Sequence, residues 1–276
     1  MLEKLTYQNH LGEVFEFGKD GIFVKMNDLH DYEWSVTKKG NRIASIDYAV
    51  SKRKLPITII CNTEEEGIRA RNRLMEVTEK DVLAMKHGRI IIGDFYFRCF
   101  VTKSEKKQSQ LSRRHMELTL TLTSDFPYWI KESLMQFGNR IAVEGETGKN
   151  LDYAHDIPYD FSSGFNKRDL VNTGFVGTHF KLIIYGAVSN PTVYIGGHEY
   201  TVNCDIEANE YLTIDSLSKK VFLTGNKGEI TNKFNDRNKD SYIFEKIKPG
   251  SNAVSWKGDF GFDVLLMEER SEPKWT

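Results

Sequence analysis

A single stretch of this 276-residue chain has a clear helical period, and its isolation limits the fold more than any other feature. TEEEGIRARNRLMEVTEK (63–80) opens with Thr63 and Glu66 at capping-box spacing, with Glu64, Glu65 and Glu66 in the first turn. At 100° per residue, Glu65, Arg69, Asn72, Arg73, Glu76 and Lys80 share one arc. Ile68, Ala70, Leu74, Met75 and Val77 fill the opposite half, with Arg71 as the exception. The small Gly67 and Ala70 let this face come close to a sheet. The helix therefore reads as a cover over an open β-sheet face.

Around it the pattern is that of strands. LEKLTYQ and EVFEF flank a turn at Asn9, His10 and Gly12, and IFVKMNDL, YEWSVTKKGN and RIASIDYAVSKRKLPITIIC follow. After the helix come DVLAM, GRIIIGD, FYFRCFVT and RHMELTLTLTSDF. Met116, Leu118, Leu120 and Leu122 alternate with polar residues, which places one face of that strand in a core. The polar, basic KSEKKQSQLSRR (103–114) reads as an exposed loop or β-arm. Aromatics gather around Pro127 in SDFPYWIKESLMQFG, and the Gly-rich, charged VEGETGKNL (143–151) marks a boundary. Two domains are expected, residues 1–140 and 141–276. The second alternates short strands with turns throughout: THFKLIIYG, PTVYIGG turning at Gly196-Gly197 into HEYTVNC, YLTIDS, KKVFLTG, NKGEITNKF, SYIFEKI and NAVSWKGDFGFDVLLM. The fold class is mainly β, the second half an antiparallel sandwich.

With 38 basic and 39 acidic residues the formal net charge is -1, so no global field draws the chain to nucleic acid or an anionic membrane. No run reaches the length of a membrane span, and the N-terminus has no signal-peptide core. Cys61, Cys99 and Cys204 are an odd, scattered set, read as buried free thiols of a chain made in a reducing cytoplasm. GxSxG, HExxH, P-loop and dinucleotide signatures are absent, so no enzyme activity, cofactor or metal is expected. His179 and His198 are placed on neighbouring strands without metal-ligand support, and DYAHDIPYD (152–160) lacks the ligand order of a calcium loop. Trp34, Trp129, Trp256 and Trp275, with Tyr194 and Tyr200, are the rings from which a sugar-stacking platform would be built, although burial at edges and interfaces is their commoner fate.

The chain ends in EERSEPKWT, and a large ring so close to a terminus implies docking. Pro127, Tyr128, Trp129, Arg270, Glu272, Pro273 and Trp275 are the candidate subunit or domain interface, with Pro273 stopping strand pairing and Trp275 as anchor.

These segments, in order, resemble the phage distal tail proteins, a siphovirus-type tail component family of phages and prophages of Gram-positive bacteria. The resemblance is carried by IIYGAVSNPTVYIGG (183–197), EYLTIDS (210–216), FNDRNKDSYIFEKIKPG (234–250) and EERSEPKW (268–275). YQNHLGEVFEF, the helix at 63–80, GRIIIGDFYFRCFV and SDFPYW add to it. It implies a virion structural protein, made in the host cytoplasm, whose N-terminal domain forms a ring, typically a hexamer. The ring would join the tail tube protein to the tail-tip or receptor-binding apparatus, without sequence-specific nucleic-acid binding. The C-terminal domain would be a galectin-like sandwich outside the ring, and the short loops leave no room for the carbohydrate-binding module some relatives insert. The alternative is a lectin-like protein that binds cell-wall saccharide through that sandwich.

Overall fold

The computed structural model describes residues 4–47, 49–106, 113–138, 169–257 and 260–273. The chain divides into two compact units, Met1–Lys131 with Glu269–Thr276, and Glu132–Glu268. The division falls at 131/132, and the expected boundary at 140/141 lies outside the described residues.

The first unit contains β1 (Leu5–Gln8), β2 (Val14–Glu16), β3 (Ile22–Val24), β4 (Ser35–Lys39), β5 (Arg42–Asp47), β6 (Ser51–Ile60), α1 (Glu64–Ala84), β7 (Gly88–Ile92), β8 (Phe95–Lys106), β9 (His115–Ser124) and the start of β10 (Trp129–Phe137). The first half of β8 pairs with β7 and β10, Phe97 lying between Ile90 and Trp129. From Phe100 onward β8 pairs instead with β9, with a bulge between Val101 and Lys103, and β9 also pairs along its length with β6. One long strand thus serves two ladders, with the change of partner between Cys99 and Phe100. Leu55, Ile57 and Ile59 from β6, and Met116, Leu118, Leu120 and Leu122 from β9, meet in one core under the helix. The outer end of β8, from Thr102 to Lys106, is exposed, as expected of an arm.

Thr63 caps α1 with the full capping box. The helix runs on to Ala84, so DVLAM is its last turn and not a strand. Its buried face is Gly67, Ala70, Leu74, Val77, Thr78 and Asp81, while Ile68 is exposed and Met75 half-buried. The close approach at Gly67 is real: a Cβ there would lie 2.2 Å from the Arg113 carbonyl oxygen. Alanine in a helix interior ordinarily gains about 1 kcal/mol over glycine. Here backbone must move, so Gly67→Ala is expected to lower stability by about 1–3 kcal/mol in chemical denaturation.

The second unit contains the rest of β10, then β11 (Asp169–Asn172), β12 (His179–Tyr185), β13 (Val188–Ser189), β14 (Thr192–Ile195), β15 (His198–Thr201), β16 (Asp205–Ile206), β17 (Tyr211–Asp215), β18 (Lys220–Thr224), β19 (Ile230–Asn232), β20 (Gly250–Trp256) and most of β21 (Phe262–Arg270). One antiparallel sheet runs β19-β18-β17-β12-β21 and another β11-β20-β14-β15. Phe180, Leu182, Ile184, Leu212, Ile214, Phe262, Val264 and Leu266 from the first meet Leu170, Val193, Ile195, Tyr200 and Val254 from the second in a single core. A core shared by two antiparallel sheets is a sandwich. The β14–β15 hairpin turns through Gly196 and Gly197, both at positive φ, as two-residue hairpin loops demand. SYIFEKI does not form the expected strand. Ile247 makes one bridge to Thr178, and Ile243 and Phe244 bury their side chains without a ladder.

Burial, reinforced by repulsion from Lys246 and opposed by Asp215, pushes His179 on β12 down to about 4. The unfolded chain accepts that proton near the ordinary value of about 6.5. Between these values the unfolded state binds more protons, so stability is full above about pH 6.5 and falls as the pH drops toward 4. His179→Gln is expected to flatten the decline in melting temperature across that window, measured as a pH series.

Candidate assembly surface

The β4–β5 hairpin is the most exposed pair of strands described in the first unit. Lys39 and Arg42 pair across a turn made by Gly40 and Asn41. Gly40 is at φ +62, and a Cβ there would touch nothing within 4 Å, so the turn is narrow and stands in open space. The two strands form a two-stranded sheet of their own, with every side chain described in them exposed. Val36 and Ile46 sit opposite each other across the ladder. Val36, Ile43 and Ile46 are 47, 62 and 51% exposed, an unusual fate for β-branched side chains in a strand. Lys38, Lys39 and Arg42 crowd the tip, and among the described residues none has an ion-pair partner.

At the root of the hairpin lies a cavity of about 390 Å³ lined by Asp28, Asp31, Tyr32, Glu33, Ser35, Val50 and Pro127, among others. Asp28 Oδ1 accepts the Lys54 N–H at 2.6 Å, which fixes the loop. The Asp31 and Glu33 carboxylates are exposed and have no side-chain partner among the described residues. Lys52 and the buried Arg53 also line the cavity. Arg53 is committed inward: its guanidinium lies 4.4 Å from the Phe97 ring centre and donates to the Leu29 carbonyl. The rim is therefore acidic, with Lys52 as its one exposed cation. A second cavity, of about 440 Å³, lies between Gly21, Cys61 and α1 and is lined by Asp20, Glu66, Arg69 and Arg73 among others. Asp20 meets Arg73 at 3.2 Å, and Glu66 accepts the Asn62 N–H at 3.1 Å.

Most of the exposed large apolar side chains among the described residues belong to the first unit, including Leu11, Phe23, Met26, Tyr32, Val50, Leu83 and Met85.

The interface residues named from the sequence fall into different settings. Trp129 is 0% exposed, its indole N–H donating to Leu29 O at 3.2 Å, and so belongs to the core of the first unit. Pro127 is buried against the root cavity, while Tyr128 is half-buried with its ring 4.9 Å from Phe126. Arg270 and Glu272 are half-buried, and Pro273 is buried in a tail that folds with the first unit. Trp275 lies outside the described residues, as does DYAHDIPYD. The β4–β5 hairpin was not among the expected interface elements. Its signal is the run KKGNR between two short apolar-containing strands.

Among the described residues, the rings considered for sugar stacking differ in burial. Tyr200 is buried and donates to Glu245 O at 2.8 Å. Trp256 packs edge-on against Phe262 at 5.1 Å. Trp34 and Tyr194 remain exposed, one in each unit. His179 and His198 lie on β12 and β15, which are in different sheets, and take Ser216 and the Tyr242 carbonyl as partners. All three cysteines are free; Cys99 and Cys204 are buried, but Cys61 is only half-buried. Among the described residues no group of three or more His, Cys, Asp or Glu is placed to hold a metal, and no helix is long and apolar enough to cross a membrane.

No protein-family model matches the chain, and no curated protein does. Solved structures do. The SPP1 Dit (gp 19.1) protein, described as a paradigm of the hub adsorption apparatus in phages infecting Gram-positive bacteria, matches with a TM-score of 0.58 at 9% identity, over 96% of this chain and 99% of that one. A chain of the phage P2 baseplate in its activated conformation with Ca matches with a TM-score of 0.64 at 11% identity, over 99% of this chain and 100% of that one. The same baseplate with Sr gives 0.63 at 10% identity, with the same coverage. At these identities the likeness is one of fold, and it extends through both units.

Proposed function

We propose that the chain is a phage distal tail protein, a structural hub of the virion tail. In this reading the first unit closes into a ring, a hexamer as the family resemblance implies, at the far end of the tail tube. The second unit is the galectin-like sandwich on the ring's outer side. The tail tube protein and the tail-tip or receptor-binding apparatus are the partners, and the chain is made in the host cytoplasm before assembly. Its role is mechanical, without enzymatic activity.

The observation that carries this reading is the full-length fold match to a hub protein and to baseplate chains, with both units included. A closed ring requires two different complementary surfaces on each subunit. The exposed apolar side chains of the first unit are the supply for them. The saccharide-binding alternative is weakened by the burial of Tyr200 and the inward packing of Trp256. An antibody raised against the recombinant chain is expected to label virion tails at one end in electron micrographs. Labelling along the whole tube, or on the capsid, would contradict the hub assignment.

A further inference from the structure

The β4–β5 hairpin presents a physical problem that the isolated chain does not solve. A two-stranded ribbon in water is marginal without a third strand or a packing surface. This one exposes Val36, Ile43 and Ile46 and has no further strand partner among the described residues. Its two ends are chemically opposite. The tip carries Lys38, Lys39 and Arg42 around the narrow Gly40-Asn41 turn. The root carries Asp31 and Glu33 on the rim of an open cavity, with Asp28 behind them. Among the described residues neither the tip cations nor Asp31 and Glu33 have an ion-pair partner, and the ribbon holds the two sets apart by about 15 Å, at roughly 3.3 Å per residue.

We propose that the occupant of the root cavity is the basic tip of the same hairpin from a second copy of this chain. The contact is head-to-tail: tip and root are different surfaces, so each copy keeps one of each free, and addition continues until rotation closes a ring. This deepens the ring reading above and rests on it. The charge pattern selects a second copy over an unrelated partner, because the complement of each patch is already present in the same sequence. Three tip cations face Asp28, Asp31 and Glu33, with Lys52 the one opposing exposed charge at the rim. The apolar ribbon then lies along the neighbour, covered by exposed groups such as Tyr32 and Val50 at the root. Long-range attraction between unlike patches speeds encounter and fixes register, while the apolar rows supply the burial.

The test is a charge exchange on the full chain, read by light scattering and sedimentation at several salt concentrations. The tip variant combines Lys38→Glu, Lys39→Glu and Arg42→Glu. The root variant combines Asp31→Lys and Glu33→Lys, sparing Asp28 because it holds the loop. All five side chains are exposed, so melting temperatures are expected to stay at the native value, and this is checked first. Each variant alone is expected to weaken self-association at least tenfold, and the chain carrying both sets to recover it. Native association is also expected to weaken as salt rises. Assembly of either single variant at native strength, or failure of the combined variant to recover, overturns the tip-to-root contact while leaving the ring reading standing. A native chain that stays monomeric at every concentration overturns both.

Discussion

Asp81→Ala is expected to cost the first unit about 3–5 kcal/mol, the penalty for leaving the partners of a buried charge unpaired. Asp81 is 0% exposed in the last turn of α1, where a carboxylate gains nothing from the helix dipole. Its value lies in three contacts with β1 and the following turn. Tyr7 Oη donates to Oδ2 at 2.5 Å, the His10 N–H donates to Oδ1 at 2.8 Å, and the His10 ring Nδ1 lies 2.6 Å from Oδ1. Burial pushes the Tyr7 hydroxyl far above its ordinary range, so it remains a donor. Gly88 leaves the room: a Cβ there would stand 2.2 Å from both Asp81 Oδ2 and Tyr7 Oη. Asn9 and Lys80 extend the tie, with Asn9 reaching Val77 O at 3.3 Å and Lys80 meeting Glu13 at 2.7 Å. Asp81→Asn keeps the shape and part of the hydrogen bonding, and should cost about half as much. Urea unfolding followed by Trp fluorescence measures both. A loss under about 1 kcal/mol for Asp81→Ala would mean that the helix is held by its apolar face alone.

Trp129→Ala is expected to be equally damaging, at about 3–5 kcal/mol, because it empties a fully buried site. The ring lies 5.5 Å from Phe97, its partner across the β10–β8 ladder. Arg53 approaches the same pair, 4.4 Å from the Phe97 centre and 6.0 Å from that of Trp129. Leu29 O accepts from both the Trp129 indole and Arg53. Trp129→Phe retains most of the volume and leaves Leu29 O with Arg53, so it should cost only about 1–2 kcal/mol. Equal losses for the two substitutions would show that the indole N–H, and not ring volume, dominates the site. Calorimetric melting of the two variants separates these outcomes.

Trp129 also illustrates where sequence reading ends. Aromatics beside Pro127 look alike whether they face a neighbour or a core, and only the long-range pairing with Phe97 decides it. The start of α1 was legible, because Thr63 and Glu66 act within one turn. Its end was not. Asp81 looks like a surface acid or a strand start until Tyr7 and His10, over seventy residues earlier, are seen to hold it. The β9 and β12 rows were legible because alternation against a single core is a local signal. The hairpin gives no such signal: Ile43 and Ile46 are three apart in sequence, and with Val36 they lie in the open. A sequence cannot distinguish apolar groups bound for the chain's own core from those reserved for another copy. SYIFEKI fails differently, its apolar residues filling the sandwich without joining a ladder.

Self-assembly is the core of the proposed function. Light scattering after size exclusion, with negative-stain images of the same peak, tests it most directly. A mass several times the 31.8 kDa of one chain and particles with an open centre are expected. A single-chain mass at every concentration, with compact particles and no ring, would contradict it.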